Sequence, residues 1–190
     1  MQRLVSLALA FALLLSSQAA LAWGLDEVVA GIAQPQGGVA RFTEIKYLAA
    51  LDQPLRIQGE VRFTPPDQLQ RLVTEPYQEN MTVAGGMLSL QRGEQKPREL
   101  ALDDHPAIAG FVNAFLATLA GDKALLEAHY ELALQGDESK WTLTMTPRDT
   151  GLAKRVEQIR VAGAGQRLIS FETRQANGDR SVMLFSLLAS

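Results

Sequence analysis

The clearest pattern in the chain is a strict alternation of apolar and polar residues from Leu55 to Thr64. The polar positions of this segment are Arg56, Gln58, Glu60 and Arg62. The alternating apolar series is Leu55, Ile57, Gly59, Val61 and Phe63. A period of two predicts a β-strand with one apolar face and one face in water. The strand should end at Pro65, because proline cannot donate to the backbone ladder.

Shorter alternating segments recur along the chain and predict about eight antiparallel strands in all. Glycine-containing turns such as Gly85-Gly86 and Asn177-Gly178-Asp179 separate them. In the first segment the alternate apolar positions are Ile45, Tyr47, Ala49 and Leu51. The predicted strands cover residues 42–51, 55–64, 81–83, 87–90, 141–146, 159–161, 167–173 and 181–188.

Helical periodicity interrupts the strands at three places. Val28, Val29 and Ile32 share one face of a short predicted helix over 25–33. A longer helix is predicted from Pro106 to Ala120, with Asp103 or Asp104 as its N-cap and Gly121 at its end.

The helix over 106–120 carries no charged residue, so it must be covered on more than one side. A third helix is predicted to start at Asp122 and to run through Leu125, Leu126 and Tyr130, with Lys123, Glu127 and Glu131 facing water. The resulting architecture is mainly β with helices, in the α+β class. A single curved antiparallel sheet would carry helices on its concave apolar face.

The first 22 residues have the pattern of a cleaved secretory signal. One charge, Arg3, precedes an apolar run over 4–15, and Ala20-Leu21-Ala22 supplies a small-residue cleavage site. The run is short of the roughly 20 residues that span a bilayer, which argues against a membrane anchor. The mature chain would then be a single domain over 23–190. Export without any cysteine favours the bacterial periplasm.

Composition narrows the function classes. With 18 basic and 21 acidic side chains the net charge is −3, which argues against a nucleic-acid binder. The absence of cysteine excludes thiolate metal sites and cysteine nucleophiles, and there are only two histidines. We therefore predict no enzyme activity, no cofactor and no metal.

Asp103-Asp104-His105 is interpreted as a helix start, which leaves a periplasmic hydrolase as the weakest alternative. Glu44 and Lys46 lie on one strand face and are interpreted as a structural pair.

The apolar sheet face and the uncharged helix can close into a dry core, or they can line a cavity with the helix as its lid. Composition alone favours the dry core, because most apolar faces are core. If a cavity exists, the lid candidates are Phe111, Phe115 and Leu119. The strand candidates for its lining are Leu55, Ile57, Val61, Phe63, Met81, Val83, Leu88, Leu90, Trp141, Leu143 and Met145.

Several short motifs follow one another along the chain: Phe42-Thr43-Glu44, the segment from Gly59 to Leu69, Glu75-Pro76 and the segment from Val83 to Leu88. Their order resembles the LolA family of periplasmic outer-membrane lipoprotein carriers. The segment Phe42-Thr43-Glu44 with Lys46 looks more like a shorter, LolA-related branch.

The resemblance implies an unclosed antiparallel β half-barrel with helices as a lid over its concave apolar face. It implies a monomeric carrier or chaperone that binds the acyl chains of lipoproteins or lipid-like cargo. Its partners would be an inner-membrane releasing or export complex and an outer-membrane acceptor. One departure concerns the lid, because Pro65 stands where the main branch has a latching arginine. The alternative is a non-catalytic scaffold of an envelope lipid-export system with a filled core.

Overall fold

The structure is a computed structural model that describes residues 23–187. The predicted signal over 1–22 and Leu188, the last residue of the final predicted strand, lie outside the described residues. The described chain has four helices, α1 (Leu25–Ile32), α2 (Pro106–Ala120), α3 (Lys123–His129) and α4 (Thr150–Ala153). Its eleven strands are β1 (Gly38–Tyr47), β2 (Leu55–Thr64), β3 (Gln68–Glu75), β4 (Glu79–Ala84), β5 (Met87–Arg92), β6 (Arg98–Ala101), β7 (Tyr130–Asp137), β8 (Lys140–Pro147), β9 (Val156–Ala164), β10 (Arg167–Gln175) and β11 (Arg180–Leu187).

All the described strands belong to one antiparallel sheet, in the order β6-β5-β4-β3-β2-β1-β11-β10-β9-β8-β7. Each strand pairs with its neighbour in sequence within two meanders, β1 to β6 and β7 to β11. Pairing of β1 with β11, for example Phe42 opposite Phe185, joins the meanders. The end strands β6 and β7 do not pair with each other, so the described sheet is unclosed. This confirms the predicted mainly β fold, an unclosed half-barrel with helices.

Strand β1 has its inner face one residue out of phase with the prediction. Phe42 and Glu44 are buried, whereas Tyr47 and Leu51 are 44% and 51% exposed. The expected apolar series that includes Tyr47 and Leu51 was therefore wrong, and β1 ends at Tyr47. The prediction failed because both phases of this segment contain apolar residues, and the phase that is buried carries a glutamate.

Strands β3, β6 and β7 were not predicted. The inward positions of β3 are Leu69, Arg71 and Val73, so a charge interrupts its apolar series. The third predicted helix was too long. Helix α3 ends at His129, and Tyr130 starts β7 opposite Pro147, which requires an extended backbone.

Helix α2 has the predicted bounds, but its N-terminus differs from the prediction. His105 occupies the N-cap position without a side-chain hydrogen bond. Asp103 and Asp104 belong to a preceding 3₁₀ turn, so neither caps the helix. Gly121 does close the helix in the left-handed region, at φ 71°, where glycine is favoured.

The core lies between the inner face of the sheet and helices α1 and α2. The backbone amide of Gln34, just after α1, donates to the carbonyl of Leu119 at 2.7 Å and ties the two helices together. Across the sheet, a Cβ atom at Gly163 would lie 2.2 Å from the ring of Trp141, so the absence of a side chain there permits the packing of this buried indole.

Candidate functional site

Four phenylalanine rings connect helix α2 to the inner face of the sheet. Phe115 contacts Phe171 of β10 and Phe185 of β11, with ring centroids 4.9 and 6.0 Å apart. Phe111 lies one turn earlier on α2 and meets Phe171 in a T-shaped contact at 5.5 Å. We call Phe111, Phe115, Phe171 and Phe185 the phenylalanine cluster. It holds the middle of α2 against β10 and β11.

A hydrogen bond from β7 also anchors helix α2. The hydroxyl of Tyr130 donates to the carbonyl oxygen of Gly110 at 2.7 Å, and both groups are buried. Burial raises the pKa of Tyr130 to about 12. The phenol therefore stays protonated and able to donate well above neutral pH.

A first cavity of about 540 Å³ lies between α2 and the sheet on one side of the phenylalanine cluster. Its volume is within the range of small-molecule sites. Most of its wall is apolar, and the exposed side chains of Gln34, Gln166 and Arg167 form its polar part. Its lining consists of Ile32, Gln34, Gly38, Val39, Ala40, Val61, Phe63, Phe115, Leu119, Ala164, Gln166, Arg167, Leu168 and Phe185.

A second cavity of about 450 Å³ lies on the Phe111 side of the cluster, near the N-terminus of α2. Its two walls differ in chemistry. Apolar side chains from β4, β5, β6 and α2 form one wall: Met81, Leu88, Leu90, Leu100, Ala107, Ile108 and Phe111. Charged and polar side chains dominate the rest: Glu44, Lys46, Arg71, Glu79, Arg155, Thr173, Gln175, Asp179, Arg180 and Ser181, with Leu48, Val156 and Met183.

A buried ionic chain crosses the polar part of the second cavity. Arg71 donates to Glu44 through Nη2 and to Glu79 Oε1 through Nη1 at 3.4 Å. Glu79 also accepts from Arg92 Nη2 at 2.7 Å, and Glu44 accepts from the hydroxyl of Ser181. Glu44, Arg71 and Glu79 are each at most 8% exposed. Buried charges need such pairing, because desolvation costs several kcal/mol per ion.

Other charged side chains near this ionic chain differ in how completely they are paired. Lys46 Nζ lies 3.6 Å from Glu44 Oε1, which agrees with the predicted pairing of these two residues. Arg180 donates to both carboxylate oxygens of Glu172 and stacks over the ring of Tyr47. Within residues 23–187, Arg155 makes no side-chain hydrogen bond or ion pair.

The structure divides the predicted cavity residues into three groups. Four line the first cavity: Val61, Phe63, Phe115 and Leu119. Four line the second cavity: Met81, Leu88, Leu90 and Phe111. The remaining six lie on neither lining, five of them buried in the packed core and Leu55 half-buried: Leu55, Ile57, Val83, Trp141, Leu143 and Met145.

Sequence reasoning missed most of the polar wall of the second cavity. Arg71 lies on a strand that was not predicted, and the predicted phase of β1 placed the inward side at Ile45 and Tyr47. It also missed Ala40 and Phe185 on the first cavity. For Phe185 the signal was ambiguous, because Ser181, Met183 and Phe185 alternate with Val182 and Leu184, which are also apolar.

The residues of the hydrolase alternative do not form a clustered site. Asp103 and Asp104 are exposed beside the half-buried His105. Among the described residues, no group of three or more His, Cys, Asp or Glu side chains could hold a metal ion. The helices between residues 23 and 187 also include none with the length and hydropathy needed to span a membrane.

Comparison with solved structures gives matches at low sequence identity. A LolA superfamily protein from Nitrosomonas europaea is 12% identical, with a TM-score of 0.48, over 90% of this chain and 96% of the other. The MucA/MucB complex structure from Pseudomonas aeruginosa gives 13% identity and a TM-score of 0.44, over 87% of this chain and 55% of the other. No curated protein matches the sequence.

The family model described as outer membrane lipoprotein carrier protein LolA-like matches residues 17–190. The match covers all the described strands and helices and both cavities. The protein belongs to the LolA-like family of outer membrane lipoprotein carrier proteins.

Proposed function

We propose that the protein is a periplasmic carrier that binds acyl chains of lipoproteins or lipid-like cargo beneath α2 and moves them toward the outer membrane. The observation that carries this proposal is the apolar first cavity, about 540 Å³, between α2 and the inner face of the sheet. Membership of a carrier family supports it. The role requires no catalysis and no cofactor.

The physics of acyl-chain binding suits this cavity. Burying a methylene group releases about 0.8 kcal/mol, so a chain enclosed by Val61, Phe63, Phe115 and Leu119 would be held without a covalent bond. The carrier must also let the chain go. Helix α2 forms the roof and is fixed by side-chain packing and a few hydrogen bonds, so movement of one helix would expose the cargo.

The proposed site comprises the residues on both linings, with the phenylalanine cluster between them. The six predicted residues away from the linings would act indirectly, by forming the floor on which α2 and the cluster pack. We further propose, from family membership, that a monomer receives cargo from an inner-membrane releasing or export complex. An outer-membrane acceptor would then take it.

Uptake of a fluorescent fatty acid by wild-type protein and by Ala40→Phe tests the proposal. Ala40 is half-buried on the wall of the first cavity, so a phenyl ring at this position would occupy the space of the chain. We expect affinity to fall by about tenfold or more through lost burial. Thermal stability should be kept, because the ring fills a void.

The matched control is Ala133→Phe, which adds the same ring at an exposed position of β7. Its uptake should equal that of the wild type. Absence of uptake by the wild type, or equal uptake by Ala40→Phe, would contradict the proposal. The scaffold alternative assumed a filled core, and the two cavities count against it.

A further inference from the structure

Three polar side chains form a row across neighbouring strands on the polar wall of the second cavity. Lys46 of β1 pairs in register with Ser181 of β11, and Ser181 pairs with Thr173 of β10. All three residues line the cavity. An amine and two hydroxyl groups therefore lie side by side on the lining of a cavity that leucine and methionine side chains also line.

Thr173 has an unused hydrogen-bonding group in this row. The residue is 7% exposed, and its Oγ1 atom is buried without a hydrogen-bond partner among the described residues. Ser181 differs, because its hydroxyl donates to Glu44. A buried hydroxyl without a partner is costly and uncommon in native proteins. Because Thr173 lines the second cavity, its hydroxyl is a candidate donor to a molecule bound there.

The charges around the row favour an anion as that molecule. The acidic side chains on the lining are already occupied: Glu44 and Glu79 are held by Arg71, and Asp179 accepts from the Ala49 amide and from Asn177. Two cations on the lining are incompletely paired. Lys46 has only the 3.6 Å contact with Glu44, and Arg155 has no side-chain partner within residues 23–187.

The apolar side chains on the two cavity linings indicate that the ligand also has an apolar part. Ile108 and Phe111 of α2 line the second cavity, whereas Phe115 and Leu119 of the same helix line the first. At 1.5 Å per residue, Ile108 and Leu119 lie about 16 Å apart along the helix axis. The phenylalanine cluster lies between the two cavities, so a flexible chain that starts in the second cavity must displace one of its rings to reach the first.

We propose that the second cavity binds the anionic headgroup, a carboxylate or phosphate, of an amphiphile whose acyl chain lies beneath α2. Lys46 and Arg155 would provide the positive charge, and Thr173 would donate a hydrogen bond to a headgroup oxygen. This inference rests on the proposed function. It adds that the cargo has one charged end, and that this end lies on the β1–β11–β10 side of the lid.

Competition against a fluorescent fatty acid tests the headgroup preference. The competitors are lauric acid, dodecyl phosphate, dodecanol, which has the same chain without a charge, and inorganic phosphate. We expect the two anionic amphiphiles to compete at about fivefold lower concentration than dodecanol, the effect of about 1 kcal/mol from a partly exposed charge pair. Inorganic phosphate should compete poorly, because it lacks the chain. Equal competition by dodecanol, or competition by inorganic phosphate at the concentration needed for dodecyl phosphate, would overturn the proposal.

Variants locate the headgroup. Lys46→Gln and Thr173→Val should each reduce the preference for lauric acid over dodecanol, because each weakens binding of the carboxylate more than binding of the uncharged alcohol. Thr173→Val should not destabilise the empty protein, because the hydroxyl that it removes has no partner there. The matched control is Arg167→Gln, which removes a positive charge from the lining of the first cavity and should keep the preference.

The outcomes separate the two proposals. If the wild type binds neither the fluorescent fatty acid nor dodecanol, the carrier function itself fails. If it binds both but Lys46→Gln and Thr173→Val keep the wild-type preference, only the headgroup assignment fails. Loss of the preference in Arg167→Gln alone would place the charged end in the first cavity and would also overturn the assignment.

Discussion

Phe115 meets Phe171 edge to face between α2 and the sheet, with ring centroids 4.9 Å apart and ring planes at 65°. Phe111 contacts the same ring at 83°. The two cavities lie on either side of these contacts, Phe115 on one lining and Phe111 on the other. The phenylalanine cluster therefore partitions the space under α2 and also secures the helix to the sheet.

Phe111→Ala should open this partition. The longer passage would raise the affinity for hexadecanoic acid more than that for octanoic acid, because only the longer chain can use the added space. Phe111 is half-buried, so the loss of stability should be smaller than the about 3–5 kcal/mol typical of a fully buried phenylalanine. Competition binding with the two acids measures the ratio.

The control for this change is Phe63→Ala, which removes the same ring from the wall of the first cavity without touching the partition. It should leave the ratio of the two affinities near the wild-type value. An equal shift in both variants would show that cavity size matters and that the partition does not.

Arg71→Ala should destabilise the fold strongly. Arg71 is the shared partner of Glu44 and Glu79, and its removal would leave two buried carboxylates short of their cation. The guanidinium also stacks over Phe42, 4.8 Å from the ring centroid. Breaking a buried pair costs about 3–5 kcal/mol, which urea unfolding can measure.

A triple variant separates charge from packing at this site. Glu44→Gln, Arg71→Met and Glu79→Gln together remove the buried charges while keeping most of the volume, and should recover most of the lost free energy of unfolding. A stability for Arg71→Ala within about 1 kcal/mol of the wild type would contradict the description of the ionic chain as buried and mutually dependent.

Tyr130→Phe should loosen the lid. The change removes the donor to Gly110 O and leaves this carbonyl without its bond from β7, at a cost of about 1–3 kcal/mol in the free energy of unfolding. If α2 is the lid, release of a fluorescent fatty acid should also become faster in stopped-flow measurements. A lower stability with an unchanged release rate would argue against α2 as the moving part.

Titration of the Tyr130 phenol should also make the free energy of unfolding depend on pH. Its pKa is about 12 in the folded protein, whereas an unfolded tyrosine titrates near 10. Between these values the unfolded chain loses the proton first, so the contribution of Tyr130 to stability is complete below about pH 10 and declines toward pH 12. The difference in free energy of unfolding between wild type and Tyr130→Phe should therefore shrink over this range. A constant difference would contradict the burial of the hydroxyl.

Local patterns were enough to predict the elements that frame the site. The alternation from Leu55 to Thr64 fixed β2, and the uncharged run between Pro106 and Gly121 fixed α2, because each signal lies within one element. The ionic chain could not be predicted in this way. Burial of Glu44 depends on Arg71, 27 residues away in sequence, and an isolated acidic residue in a strand indicates exposure.

The position of Tyr130 shows a second limit. Its segment continues a helical pattern, yet pairing with β8 imposes an extended backbone and thereby places the hydroxyl under α2. The division of apolar residues into cavity wall and filled core has a similar origin. Ile57 and Val61 share one strand face, but only Val61 lines a cavity. Whether a residue on this face meets a cavity depends on the side chains that pack over it, and the pattern of one strand does not contain this information.

The most direct test of the carrier account is a crystal structure with a fatty acid that carries bromine at its chain end. Anomalous scattering from the bromine locates that end without relying on the density of the chain. The account predicts a peak between α2 and the sheet, beside Val61, Phe115 and Leu119. A bromine bound only at the protein surface, with the space beneath α2 closed by side chains, would contradict it.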